Sequence, residues 1–204
     1  LAGIVSVKPA APTCAADLET LKHCLAEIVN SVQTDGELSD TDVDKHYLGD
    51  DDLLLRLWQS VQDLKRQKPF CQLYEAPDRQ EALAGMARKL EAVIDKETVR
   101  LAEAVGYLGT AAADKATGRL ERLKDIAWAL KAEILDNIEK VSRLLPVRGN
   151  RPTTDAIQLF RKINTVLNSI DRLEVRGRDS AGISLMFVLD QDAYDRFTRA
   201  LAAA

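Results

Sequence analysis

The chain has 204 residues, 46% of them hydrophobic and 29% charged, with a net charge of −4 and an isoelectric point near 5.3. That is enough chain to bury a sizeable core, it is too apolar for a disordered polypeptide, and its charge gives no general pull toward nucleic acid or an anionic membrane. Only 5% of residues are aromatic, and ten Gly and six Pro are few for this length. An all-β sandwich or barrel is disfavoured, and long helices are favoured.

No stretch approaches the run of about 18 apolar residues that a membrane span requires. Leu1–Pro12 lacks the apolar run of a secretory signal. The three cysteines, Cys14, Cys24 and Cys71, form no CxxC pair. Neither a disulfide framework nor a zinc site is expected, and a reducing cytoplasm is the expected compartment.

In chain order, Ala2–Lys8 is short and β-branched, is stopped by Pro9 and Pro12, and reads as a strand. A helix capped by Thr13 is expected to run to about Gln33, with Leu18, Leu21, Leu25, Ile28, Val29 and Val32 on one face. Residues 34–50 read as an acidic loop. A second helix opens at Asp50 or Asp51, carries Leu54, Leu57, Trp58, Val61 and Leu64, and is ended by Pro69. Residues 70–76 read as irregular.

A long pattern starts at Pro77 and repeats through Leu83, Met86, Leu90, Val93, Ile94, Leu101, Val105 and Leu108. It resumes with Leu120, Leu123, Ala127, Leu130, Ile134, Ile138, Val141 and Leu145. Each half would be about 40 Å long. The glycines at 106, 109 and 118 favour a reversal between them, hence an antiparallel hairpin. Beyond Pro146, Gly149 and Pro152, a helix is expected from Thr153 or Thr154 to about Val175. Ile183–Leu189 reads as a strand and Gln191–Ala203 as a last helix.

The two strand-like runs lie at opposite ends of the chain. A lone strand leaves its backbone groups unpaired, so the economical arrangement joins Ile4–Val7 to Ile183–Val188. The expected fold is therefore mainly α with a small antiparallel β element, an α+β arrangement, and the intervening helices form a bundle beside it.

Two segments resemble a known family. Ala2-Gly3-Ile4-Val5-Ser6 is similar to the Cys-Gly-Ile-Val-Gly that opens class II glutamine amidotransferases. Arg172-Leu173-Glu174-Val175-Arg176-Gly177-Arg178-Asp179-Ser180-Ala181-Gly182-Ile183 resembles the family's Arg-Leu-Glu-Tyr-Arg-Gly-Tyr-Asp-Ser-Ala-Gly-Ile, in the form typical of the glucosamine-6-phosphate synthase type. The second match is long and specific; the resemblance covers roughly residues 2–8 and 153–189, about a fifth of the chain. The resemblance implies a partial N-terminal-nucleophile hydrolase fold built from residues 1–8 and 151–204, with residues 9–150 as a helical insertion. It implies a parent enzyme in which a Cys thiolate attacks the glutamine amide and the ammonia passes to fructose 6-phosphate. Glutamine and a sugar phosphate would be its small-molecule partners. Arg176, Gly177 and Asp179 would lie at the edge of the nucleophile pocket, although Gly177 and Gly182 also suit a tight turn capped by Asp179.

This sequence departs from that pattern. The nucleophile position is Ala2, which carries no thiol, and Leu1 precedes it. The family's Arg-Trp-Ala-Thr-His segment, its Asn-Gly oxyanion element and the Asp that holds the substrate amine do not occur before Ala204. The expectation is an N-terminal piece of such an enzyme that does not itself hydrolyse glutamine. The competing expectation is a non-catalytic helical module, for oligomerisation or regulation, on a degenerate amidotransferase scaffold.

The remaining signals read as structure. Asp40, Asp42, Asp44 and Asp51 hint at a calcium loop, but Lys45 stands where the loop needs Gly, and Asp51 where it needs Glu. His23 and Glu27 are four apart on one helix, with no second such pair to complete a metal site. Residues 35–52 hold eight acids and one Lys, and residues 140–178 hold nine basic residues and three acids. Both are read as solvated faces. No metal, cofactor, nucleic acid or membrane partner is expected; self-association through the helical insertion is.

Overall fold

The computed structural model describes residues 18–32, 38–145, 151–174, 188 and 190–202. Every regular element among them is helical. In chain order they are α1 (Leu18–Ser31), α2 (Asp40–Lys45), α3 (Asp51–Leu64), α4 (Gln67–Tyr74), α5 (Pro77–Ala104) and α6 (Thr110–Trp128). A π-helical stretch (Ala129–Leu135) then leads into α7 (Asp136–Leu144), followed by α8 (Thr154–Glu174) and α9 (Gln191–Ala202). The chain divides into two compact units, Leu1–Val166 and Leu167–Ala204.

The α+β expectation is corrected here. No strand and no sheet occurs among the described residues, so the fold is all-helical rather than a partial N-terminal-nucleophile hydrolase fold. Ile4–Val7 and most of Ile183–Leu189 lie outside the described residues; Val188 carries no regular structure and is 99% exposed. The physical reason is that the helical stripes close on one another and need no sheet to cover them. Apolar β-branched runs are weak evidence for strands, because packing context rather than the run itself makes a strand.

In the first unit, α5 and α6 form an antiparallel hairpin turned at residues 105–109. Gly118 lies inside α6 rather than in the reversal. The stripe Leu83, Leu90, Leu101 of α5 and Leu120, Leu123, Ile126 of α6 is buried. α1 packs on α3 and α5, and α3 packs on α6, so α3 lies between neighbours. Its Leu54, Leu57 and Val61 are at most 1% exposed. Each such side chain contributes about 1.5–3 kcal/mol by leaving water.

In and just beyond the π stretch, Leu130, Ile134 and Ile138 are spaced four apart and all buried. The α7–α8 contact is set by a polar pair: buried Asn164 donates its Nδ2–H to Asn137 Oδ1 at 2.8 Å, and Asn137 donates to the Glu133 carbonyl at 2.7 Å.

Two short helices arise where the sequence suggested none. α2 is started by a capping box, in which Ser39 Oγ accepts from the Asp42 N–H and the Asp42 carboxylate accepts from the Ser39 N–H. Hydrogen bonds from Ser39 hold the Asp42 carboxyl below the usual carboxylate range. α4 begins at Gln67, so Pro69 falls in its first turn, where no backbone N–H is needed. Phe70 of α4 is fully buried, with the Arg161 guanidinium stacked 4.3 Å from its ring centroid. Arg161 also donates to the Lys65 carbonyl, and Ile157 of α8 is fully buried in the core.

A buried cation ties the α2 region to the bundle. Arg119, on α6, is 4% exposed. It donates to the carbonyls of Val43 and Tyr47 at 2.9 and 3.1 Å, and to Asp51 Oδ1 at 3.2 Å. The chain then turns through Leu48 (φ 57°) and Gly49 (φ 80°) into α3, whose N-cap Asp50 accepts from the Leu53 N–H at 2.7 Å. The Gly49 N–H is donated to Ser31 Oγ at the end of α1.

In the second unit, α9 is capped by Asp190, which accepts from the Ala193 N–H at 2.7 Å. Tyr194, Phe197 and Leu201 fall on one face of α9 and are each more than half exposed.

Two substitutions test the tether. Arg119→Ala leaves two buried carbonyls without donors and is expected to cost about 2–4 kcal/mol in urea unfolding. Gly49→Ala places a Cβ 2.6 Å from Leu53 Cδ2 at a positive φ, and is expected to cost about 1–2 kcal/mol. Unchanged midpoints for both would show that this corner carries no stability.

Candidate functional site

The residues singled out by the family resemblance, Ala2, Arg176, Gly177 and Asp179, all lie outside the described residues. So does Cys14. The geometry that bears on function therefore belongs to the helical unit.

The acidic segment 35–52 is largely engaged within the fold. Asp40 Oδ1 accepts from the Gly109 N–H at 2.9 Å, fastening α2 to the α5–α6 corner. A Cβ at Gly109 would meet Asp40 Oδ2 at 2.9 Å, which is why a glycine suits that approach. Lys115 pairs with Asp44 at 3.0 Å, and Arg119 takes Asp51. Asp40, Asp42, Asp44 and Asp51 thus serve four different partners, and do not converge on one point. His23 Nε2 and Glu27 Oε1 lie 2.8 Å apart on the exposed face of α1. No group of three or more possible metal ligands occurs among the described residues.

Three polar or charged residues are buried among the described residues. Arg119 and Asn164 are hydrogen-bonded. The third, Glu97, is fully buried on α5; its Oε2 lies 3.4 Å from Arg100 Nη1. The Tyr47 hydroxyl faces it, close enough to feel its charge, yet neither that hydroxyl nor Glu97 Oε1 has a partner in hydrogen-bonding geometry. Burial first, then the Glu97 charge, push the Tyr47 phenol well above its ordinary value of 10.0. Cys24 and Cys71 are buried, and burial raises both thiols, so neither is poised as a thiolate nucleophile.

Two surface depressions stand out. One, of 490 Å³ between α3 and α6, is lined by Asp51, Asp52, Leu55, Trp58, Arg122 and Asp125. Arg122 and the Arg119–Asp51 pair offset much of its negative charge.

The other is a groove of 690 Å³ between α1 and α5. Its floor is apolar: Leu25, Val29 and Val32 from the α1 side face Met86 and Val93 from α5. Ala26 and Ala92 also line the groove, and both are exposed. Its rim carries Asn30 and three lysines, Lys22, Lys89 and Lys96, and no acid lines it among the described residues. Lys22 is paired with Glu19 at 2.5 Å on the outer side. The stripe was legible in the sequence as core; the groove was not, because it needs α1 and α5 to be neighbours.

No protein-family model, curated protein or solved structure matches the chain. No helix among the described residues is long and apolar enough to cross a membrane.

The buried groups give two measurable expectations. The Tyr47 phenol is raised in the fold, so its contribution to stability is complete below the ordinary tyrosine value of 10.0 and is lost as pH rises above it. Tyr47→Phe is expected to reduce the alkaline loss of stability; an identical alkaline profile would count against the assignment. Cys24 and Cys71 are expected to react with an aromatic disulfide at least roughly tenfold more slowly in the native chain than in denaturant. Equal rates would contradict their burial.

Proposed function

We propose that this chain is part of a glutamine-dependent amidotransferase of the glucosamine-6-phosphate synthase kind, in which the helical unit is a non-catalytic module. The observation that carries the reading is the run Arg172–Ile183, which differs from the family's motif only at Val175 and Arg178. The non-catalytic role is supported by the chemistry of the helical unit. Its described cysteines are buried with raised thiols, His23 is paired with Glu27 on an open surface, and Asp40, Asp42, Asp44, Asp50 and Asp51 are engaged in fold contacts.

On this reading the parent enzyme would release ammonia from glutamine and pass it to fructose 6-phosphate. This chain would not do so, because Ala2 offers no sulfur to attack the amide. Two assays test it. Glutamate release from glutamine by the chain is expected to stay at the buffer rate, and turnover would overturn the inactive assignment. The whole gene, with Cys at position 2 and no residue before it, is expected to rescue a bacterial strain that requires glucosamine. Failure to rescue, with the protein expressed and soluble, would remove the amidotransferase reading.

A further inference from the structure

The α1–α5 groove has dimensions and chemistry that fit one class of partner. Its lining runs from Lys22 to Val32 on the α1 side and from Met86 to Lys96 on α5. That is about 15 Å along each helix, or about three turns. The apolar positions recur at intervals of three and four along α1, so the floor presents the ridges and holes into which a third helix packs. Ala26 and Ala92 lie exposed at its flanks, where short side chains leave a helix room to approach. The lysines stand at the edges rather than in the floor. An apolar helix with neutral flanks would gain nothing from them, and one with basic flanks would be repelled.

We infer that this groove is a docking site for an amphipathic helix of a partner protein, about three turns long, with an apolar stripe and acidic flanks. The stripe lies over Val29 and Val93, and the flanking carboxylates meet Lys22, Lys89 and Lys96. Lys22 then exchanges part of its Glu19 contact for the incoming acid, and Lys96 part of the interaction it already makes. The site goes beyond the amidotransferase reading and does not depend on it; peptide binding is blind to glutamine chemistry, so the two can fail separately.

The probe is a fluorescein-labelled, lactam-stapled peptide with leucines on one stripe and glutamates on both flanks. Its control carries lysines in place of the glutamates. With the full chain, fluorescence anisotropy is expected to show saturable binding of the acidic peptide, at least roughly tenfold tighter than the control at low salt, with the difference shrinking as salt is added. Ala26→Glu, Ala92→Glu and Lys89→Glu change positions outside the buried core, and far-ultraviolet circular dichroism should confirm that each keeps its helix content. Each is expected to weaken the acidic peptide at least roughly tenfold. No binding, equal binding of both peptides, or binding that all three variants leave unchanged would overturn the proposal. So would self-association of the unliganded chain that Ala26→Glu abolishes in light scattering, since a second copy would then be the occupant.

Discussion

A guanidinium taken out of water must find acceptors for its N–H groups, or it opens the structure around it. Arg119 finds three: two main-chain carbonyls in the α2 region and the Asp51 carboxylate at the head of α3. The consequence reaches well past the contact. Fixing the Tyr47 carbonyl fixes the left-handed corner at Leu48 and Gly49. That corner donates the Gly49 N–H to Ser31, whose hydroxyl in turn donates to the Ile28 carbonyl in the last turn of α1. One cation on α6 therefore sets where α1 ends and how it is held beside α3. Since α1 also forms one wall of the apolar groove with α5, the groove depends on a polar contact at the far end of α1 from Lys22.

The same corner shows what acids do in this chain. Eight of them in eighteen residues suggest a solvated or metal-binding loop when only composition is considered. Placed in space, several take separate local roles. Asp42 and Asp50 start helices, Asp40 holds the Gly109 N–H, and Asp44 and Asp51 neutralise cations on α6. The repeated acid spacing therefore reports several helix starts and tethers compressed into one stretch. Individually the exposed pairs contribute little. Arg119 is the exception, because its other two acceptors are main-chain carbonyls reached by a buried side chain.

The long helices were legible because their stripes are long. Leu83 through Leu101 and Leu120 through Leu145 repeat over enough turns that no other element could bury them. Short elements lack that redundancy. α2 has six residues and one buried side chain, Val43, and its existence rests on the Ser39–Asp42 box. α4 was hidden by Pro69, which reads as a terminator but also suits a first turn. The π stretch was hidden because Leu130, Ile134 and Ile138 keep the same spacing of four as Met86, Leu90 and Ile94 in the α-helical α5. The sheet inferred from the chain ends rested on composition in two short runs, where packing partners decide the outcome. For the candidate site, the apolar residues of the groove were legible one helix at a time, but a groove is a property of two helices and carries no signal until they are known to be neighbours.

An all-helical unit and an amidotransferase-like motif are compatible on one chain, because function is carried by sites grafted on folds rather than by the fold as a whole. The motif at 172–183 follows the first compact unit, which closes at Val166. A unit with its own core can be carried by an enzyme without sharing in the chemistry. The selective pressure on it then falls on stability and on its exposed surface. Stability explains Arg119, Asn164 and the Phe70–Arg161 stack, each of which holds two elements in register. It does not explain why α1 and α5 should leave an apolar valley three turns long, edged by lysines. A valley that the described residues leave open in an otherwise closely packed unit is the arrangement expected where another helix supplies the missing side chains.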